Sequence, residues 1–98
     1  MKEKLEDNVI YVGGKMPSVY SFSIKTIFEK GINEIKVLAR GKSILTAINV
    51  VEYMKRNNQL EIKEIKLSSS ELKKEEEKES ERVIFVSSIE IDIIKKNI

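Results

Sequence analysis

Two short segments combine glycine with cationic side chains: Gly13-Gly14-Lys15-Met16-Pro17 and Arg40-Gly41-Lys42-Ser43. Glycine lets the backbone approach an oxyanion closely, and Lys or Arg supplies charge to hold it. Each segment follows a run of strand character and precedes a helical stripe. Each therefore offers the open N–H groups and positive dipole end of a helix start. A right-handed crossover makes the two strands parallel, which brings both turns to one end of a sheet. The predicted result is an anion-binding edge, with Lys15, Arg40 and Lys42 as the charges and Gly14 and Gly41 as points of close approach. Glycine-rich turns often serve conformation alone. The coincidence of two such turns carries the reading.

Other chemistries find little support. There are no cysteines and no histidines, which removes disulfides, thiolate metal sites, cysteine nucleophiles and the imidazole base. Zinc enzymes and Ser-His-Asp hydrolases are excluded. Gly-Gly-Lys lacks the phosphate-loop spacing, and no GxGxxG occurs. Ser18, Ser21 and Ser23 near Lys25 read as helix-surface residues rather than a Ser-Lys nucleophile. Glu75-Glu76-Glu77 lacks the EF-hand pattern and is interleaved with lysine. Tyr11, Tyr20, Phe22, Phe28, Tyr53 and Phe85 are scattered, without the paired strand aromatics of an RNA-stacking sheet, and most are expected in the core. No enzyme activity, metal or cofactor is expected.

The elements that must position the two turns are legible from periodicity. Val9 to Val12 reads as a short buried strand. Pro17 fits the first turn of a helix whose face carries Tyr20, Ile24, Ile27 and Phe28, closed at Gly31. Glu34 to Ala39 alternates as a second strand. Ile44, Ala47, Ile48, Val51 and Met54 make a second helical stripe, ending near Arg56-Asn57-Asn58. Leu60 to Leu67 is a third strand whose phase slips at Lys63-Glu64, where a bulge is expected. Residues 68–82 read as a flexible loop. Val83 to Lys95 is a fourth strand of about 40 Å, long enough that the last two strands form a hairpin arm reaching past the sheet. The fold class is α+β, a two-layer β-α-β-α-β-β arrangement of a four-stranded mixed sheet and two helices.

With 98 residues the chain makes a single domain, 1–98, whose residues 1–7 are expected to be flexible. Hydrophobic residues are 41% and charged ones 35%, a globular balance. No apolar run approaches the ~20 residues of a membrane span, and MKEKLED lacks a signal-peptide core, so a cytoplasmic location without membrane contact is expected. The net charge of +2 hides an asymmetry. Residues 13–42 hold six bases against two acids, whereas residues 71–82 hold six acids against four bases. The middle of the chain is locally basic while this one segment is locally acidic.

GGKMP after a strand, NEIKVLARGKSILTAINVVEYMKR, EIKEIKL and SSIEIDIIKK, in this order, resemble the Alba family of archaeal chromatin proteins. The likeness runs over roughly residues 8–96 apart from the hairpin loop, with ARGKSI and EIKEI its most specific parts. It implies the fold of the C-terminal domain of translation initiation factor three, a homodimer, and binding of double-stranded DNA and RNA. It also implies basic turns paired on the dimer body and hairpins that follow the minor groove. Lys15, Arg40 and Lys42 match the family's basic turn positions, and Lys73, Lys74 and Arg82 are the hairpin cations that would reach the nucleic acid. Met16 stands where the family often has the lysine associated with acetylation control. Asn58 stands where an aromatic often packs dimer against dimer. The expected function is that of a non-catalytic, sequence-tolerant nucleoid protein, chromosome-associated, binding duplex DNA and also RNA through phosphates. The alternative is an RNA-binding ribonucleoprotein subunit or RNA chaperone of the same superfamily.

Overall fold

The computed structural model describes residues 8–73 and 83–96. The elements run β1 (Val9–Val12), α1 (Pro17–Glu29), β2 (Glu34–Arg40), α2 (Ser43–Arg56), β3 (Leu60–Lys73) and β4 (Val83–Lys95). They form a four-stranded mixed sheet in the order β1-β2-β4-β3. β1 and β2 are parallel, with Val12 opposite Ala39, and β4 runs antiparallel to both β2 and β3. The α+β architecture, the element order and the four-stranded mixed sheet are as the sequence predicts.

Both helices cover one face of the sheet. Pro17 begins α1, and Tyr20, Ile24 and Phe28 bury a single stripe at a spacing of four. The helix ends at Lys30, followed by Gly31 at φ 96°, a left-handed conformation that favours glycine. In α2 the buried stripe is Ala47, Val50, Val51 and Met54. Ile48, expected inside, is exposed, and Val50 takes the core position because it lies beside Val51 on the face turned to the sheet. α2 closes in a Schellman motif. Gln59 N–H reaches the Met54 carbonyl at 2.9 Å, Asn58 N–H reaches Lys55 at 3.0 Å, and Asn58 sits at φ 60°. Asn58 is thus first of all a helix cap. Ile35, Val37 and Ala39 of β2 and Ile89, Ile91 and Ile93 of β4 complete the core beneath the helices.

Three further expectations need correction. β1 is half-buried rather than buried: Ile10 and Val12 face the helices, while Tyr11 points from the open face and is 74% exposed. The aromatics are mostly outside the core. Only Tyr20 and Phe28 are buried, whereas Tyr11, Phe22, Tyr53 and Phe85 are exposed. The loop expected over residues 68–82 is strand up to Lys73, paired from Ser68↔Ser88 to Lys73↔Val83. An arm with both faces in water needs no apolar period, so its backbone ladder forms without the signal that marks a core strand. Residues 74–82, like residues 1–7, lie outside the described residues.

The ladder between β3 and β4 continues past Ser88, where pairing with β2 stops. Five further pairs, Ser69↔Ser87 to Lys73↔Val83, extend the hairpin arm by roughly 17 Å. A register shift between Ile62 and Glu64 marks the bulge at Lys63 that the sequence predicts.

Candidate nucleic-acid interface

The parallel register of β1 and β2 sets the site. Because Val12 lies opposite Ala39, the chain leaves both strands at the same end of the sheet. There it passes through residues 13–16 into α1 and residues 41–42 into α2. Neither helix start is capped by a side chain, and neither first turn contains an acid. Both dipoles therefore present open N–H groups on one edge.

Each turn is tied down from behind. The hydroxyl of buried Tyr20 accepts the N–H of Gly13 at 2.8 Å and that of Lys15 at 3.0 Å. Gly41 donates its N–H to the Ser87 carbonyl at 2.9 Å, fixing the second turn to β4 where the arm departs. Gly41 has φ 56°, so a side chain there is strained. Gly14 differs. Its φ is ordinary, and a Cβ would meet nothing within 4 Å. Neither its φ nor its surroundings require a glycine there.

Lys15, Arg40 and Lys42 are all exposed at this edge. Among the described residues, the ion pairs are Lys36 and Lys66 with Glu90, Lys63 with Glu34, Arg56 with Glu52, and Lys96 with Glu61. The three turn cations belong to none of them. Lys25, Lys30, Lys55 and Lys95 are likewise outside these pairs, so what distinguishes the turn cations is their shared edge with two helix starts. Lys73 ends β3, while Lys74 and Arg82 lie outside the described residues. No group of three or more carboxylates is placed to hold a metal among the described residues.

The open face of the sheet carries a separate charge network. Glu90 binds Lys66 at 3.5 Å and Lys36 at 3.8 Å, and Lys63 donates to Glu34 at 2.8 Å. That hydrogen bond and the Lys63 charge hold the Glu34 carboxyl below its ordinary range. Asp92, on the same face, is nine-tenths buried with Oδ1 unpartnered. Burial, and then hydrogen bonding with Glu90, raise its carboxyl above the ordinary range.

Comparison with known proteins agrees with this geometry. The Alba family description matches residues 8–69, a stretch containing both turns and both helices. The chain belongs to the Alba family. That family is one of non-catalytic nucleic-acid-binding proteins. "DNA/RNA-binding protein Alba" of Methanocella arvoryzae is 38% identical over 88 residues, covering 88% of each chain. "DNA/RNA-binding protein Alba 2" of Methanopyrus kandleri is 40% identical over 62 residues, 61% of this chain and 67% of the relative. Alba from Thermoplasma volcanium superposes with a TM-score of 0.73 at 33% identity, over 89% of this chain and 99% of that one.

Sequence reasoning missed two residues. Tyr20 reads as core from its spacing, and the hold of its hydroxyl on the turn leaves no signal in the sequence. Tyr11 was assigned to a buried run, although Ile10 and Val12 on either side already fill the inward positions.

Proposed function

We propose that this Alba chain is a sequence-tolerant chromatin protein that binds double-stranded DNA and also RNA through phosphate contacts. The observation that carries the reading is the single edge where two uncapped helix starts meet three unpaired cations. Lys15, Arg40 and Lys42 take the phosphates, and the backbone at Gly14 and Gly41 approaches them closely. The relatives named as DNA/RNA-binding proteins support the ligand class.

The working unit is a homodimer. Leu67, 73% exposed, pairs with buried Ile89, so it lies on the helix side of the sheet where helical cover has ended. Ile65 and Phe85 share that side and are also exposed, as are Leu45 and Ile48 on α2. An apolar surface of this extent in so small a chain fits an interface. Association places two basic edges on one body, and the two arms reach outward along the nucleic acid. Within the cell this protein is chromosome-associated.

Salt titration tests the proposal. Three cations per chain give about six phosphate contacts per dimer, so log K should fall with log salt at a slope of about −5 on duplex DNA. The Arg40→Ala, Lys42→Ala double variant should bind weakly with a slope near −2, with melting temperature unchanged. Random and designed duplexes should differ by less than about tenfold. A flat salt response, or parental affinity in the double variant, would refute it.

A further inference from the structure

We infer that the open face of the sheet beside Arg40 is a stacking site for an unpaired nucleobase, with Tyr11 as its platform. The inference rests on the nucleic-acid reading above and extends it from phosphates to bases. Tyr11 is the most exposed of the large hydrophobic side chains described, on a face that no helix covers. An aromatic left in water on a strand contributes little to the core. Its use is in what it can touch.

The sheet register defines the surroundings. Tyr11 pairs with Leu38, Leu38 with Glu90, and Glu90 with Lys66, forming one row across all four strands. The next row is Arg40, Ser88 and Ser68. These side chains line a depression of about 540 Å³, within the range of small-ligand sites. It has an apolar floor at Leu38, an aromatic wall, cations at its rim and two hydroxyls. Arg40 stands two register positions beyond the Tyr11 partner, a diagonal of roughly 7–8 Å. One nucleotide bridges that separation, with its base on the Tyr11 ring and its phosphate on the Arg40 guanidinium. Glu90 does not oppose the phosphate strongly, because Lys66 and Lys36 both neutralise it. Its carboxylate remains able to accept from a base N–H group, the N3–H of uracil or thymine included.

Stacking requires a base that has left its helix, since a paired base shows no free π-face. Tyr11 therefore discriminates between single strands and duplex, whereas the cationic edge serves both. Arg40 joins the two surfaces, as it lies on the open face and at the start of the second basic turn.

The test compares the whole parent protein with Tyr11→Ala, Tyr11→Leu and Tyr11→Phe. Fluorescence anisotropy is measured at one salt concentration on labelled oligouridylate, oligothymidylate and a random-sequence duplex. Tyr11→Leu keeps an apolar strand residue without a π-face, so it separates stacking from packing. Loss of affinity for single strands by about tenfold is expected for the Ala and Leu variants, with duplex affinity within about twofold of the parent. Tyr11→Phe should bind all three ligands as the parent does. The strand weakened more identifies whether RNA or DNA supplies the base. Parental single-strand affinity in the Leu variant, or equal losses on single strand and duplex, would overturn the inference alone. A parent that binds none of the three would overturn the phosphate reading together with it.

Discussion

The phenolic oxygen of Tyr20 accepts the backbone N–H of Lys15 at 3.0 Å, so a core side chain of α1 fixes the backbone of an exposed cationic turn. The same oxygen holds Gly13 at 2.8 Å, which makes the first basic turn a rigid outgrowth of the core. Tyr20→Phe keeps the ring and removes the shared acceptor. Two N–H groups then lose their partner, at a net cost of about 1–2 kcal/mol given that water can still reach an exposed turn. Thermal unfolding should show a fall of roughly 4–8 °C per kcal/mol. Duplex affinity should fall as well, because Lys15 loses its fixed starting point. An unchanged melting temperature would show that the two hydrogen bonds add nothing to stability.

The two turn glycines should separate stability from binding. Gly41→Ala forces a side chain into φ 56° and should cost about 1–2 kcal/mol in chemical denaturation. Gly14→Ala enters open space and should leave stability within about 0.5 kcal/mol. If a phosphate approaches the Gly14 backbone, the added methyl should nevertheless weaken duplex binding several-fold. Equal stability losses at both positions would remove the distinction drawn from their backbone angles.

Association should depend on the uncovered helix-side face of the arm. Light scattering of the parent at micromolar concentration, without nucleic acid, should give twice the chain mass. Leu67→Lys combined with Phe85→Lys should give a monomer that remains folded, since both side chains are already solvated in the single chain. A parent that scatters as a monomer would remove the homodimer from the proposal.

Sequence pattern and structure coincide where one face of an element has to be buried. Tyr20, Ile24 and Phe28 recur on a helical period because a core selects them, and Ile89, Ile91 and Ile93 alternate for the same reason. The turns were legible because Gly41 and the Lys15 and Arg40 charges have a type as well as a spacing. Residues 68–73 carry no strand signal because an arm that no helix covers places no periodic demand on its side chains. The exposure of Tyr11 is not legible because four apolar residues in a row look alike whether one or both faces are covered. Tyr20 could not have been recognised as a double acceptor, since hydrogen bonds from a turn to a core hydroxyl leave no pattern in spacing.

Asp92 should give the protein an unusual pH response. It sits on the open face of the central strand β4, opposite Lys36 and Glu64, nine-tenths buried and with one oxygen unpartnered. Burial first, then the hydrogen bond and charge of Glu90, raise its carboxyl, while Lys66 and Lys36 pull the other way. A raised pKa means the native state keeps a proton that the unfolded chain has released. Stability from this group therefore falls as pH rises from the ordinary aspartate range through the higher folded value. Glu90 has the opposite sign. Hydrogen bonding with Asp92, together with Lys66 and Lys36, lowers its carboxyl, so its contribution is present above the ordinary range and lost as pH falls through the folded value. The two limbs oppose each other, Asp92 favouring the lower pH and Glu90 the higher. Asp92→Asn keeps the shape and a donor toward Glu90 but carries no charge to desolvate. It should melt a few degrees above the parent at about pH 7, as a gain of about 1 kcal/mol produces in a domain of this size. At a pH low enough to protonate Asp92 in the folded parent, the two should melt together. A difference of equal size at both pH values would mean that ionisation of Asp92 is not what the substitution relieves.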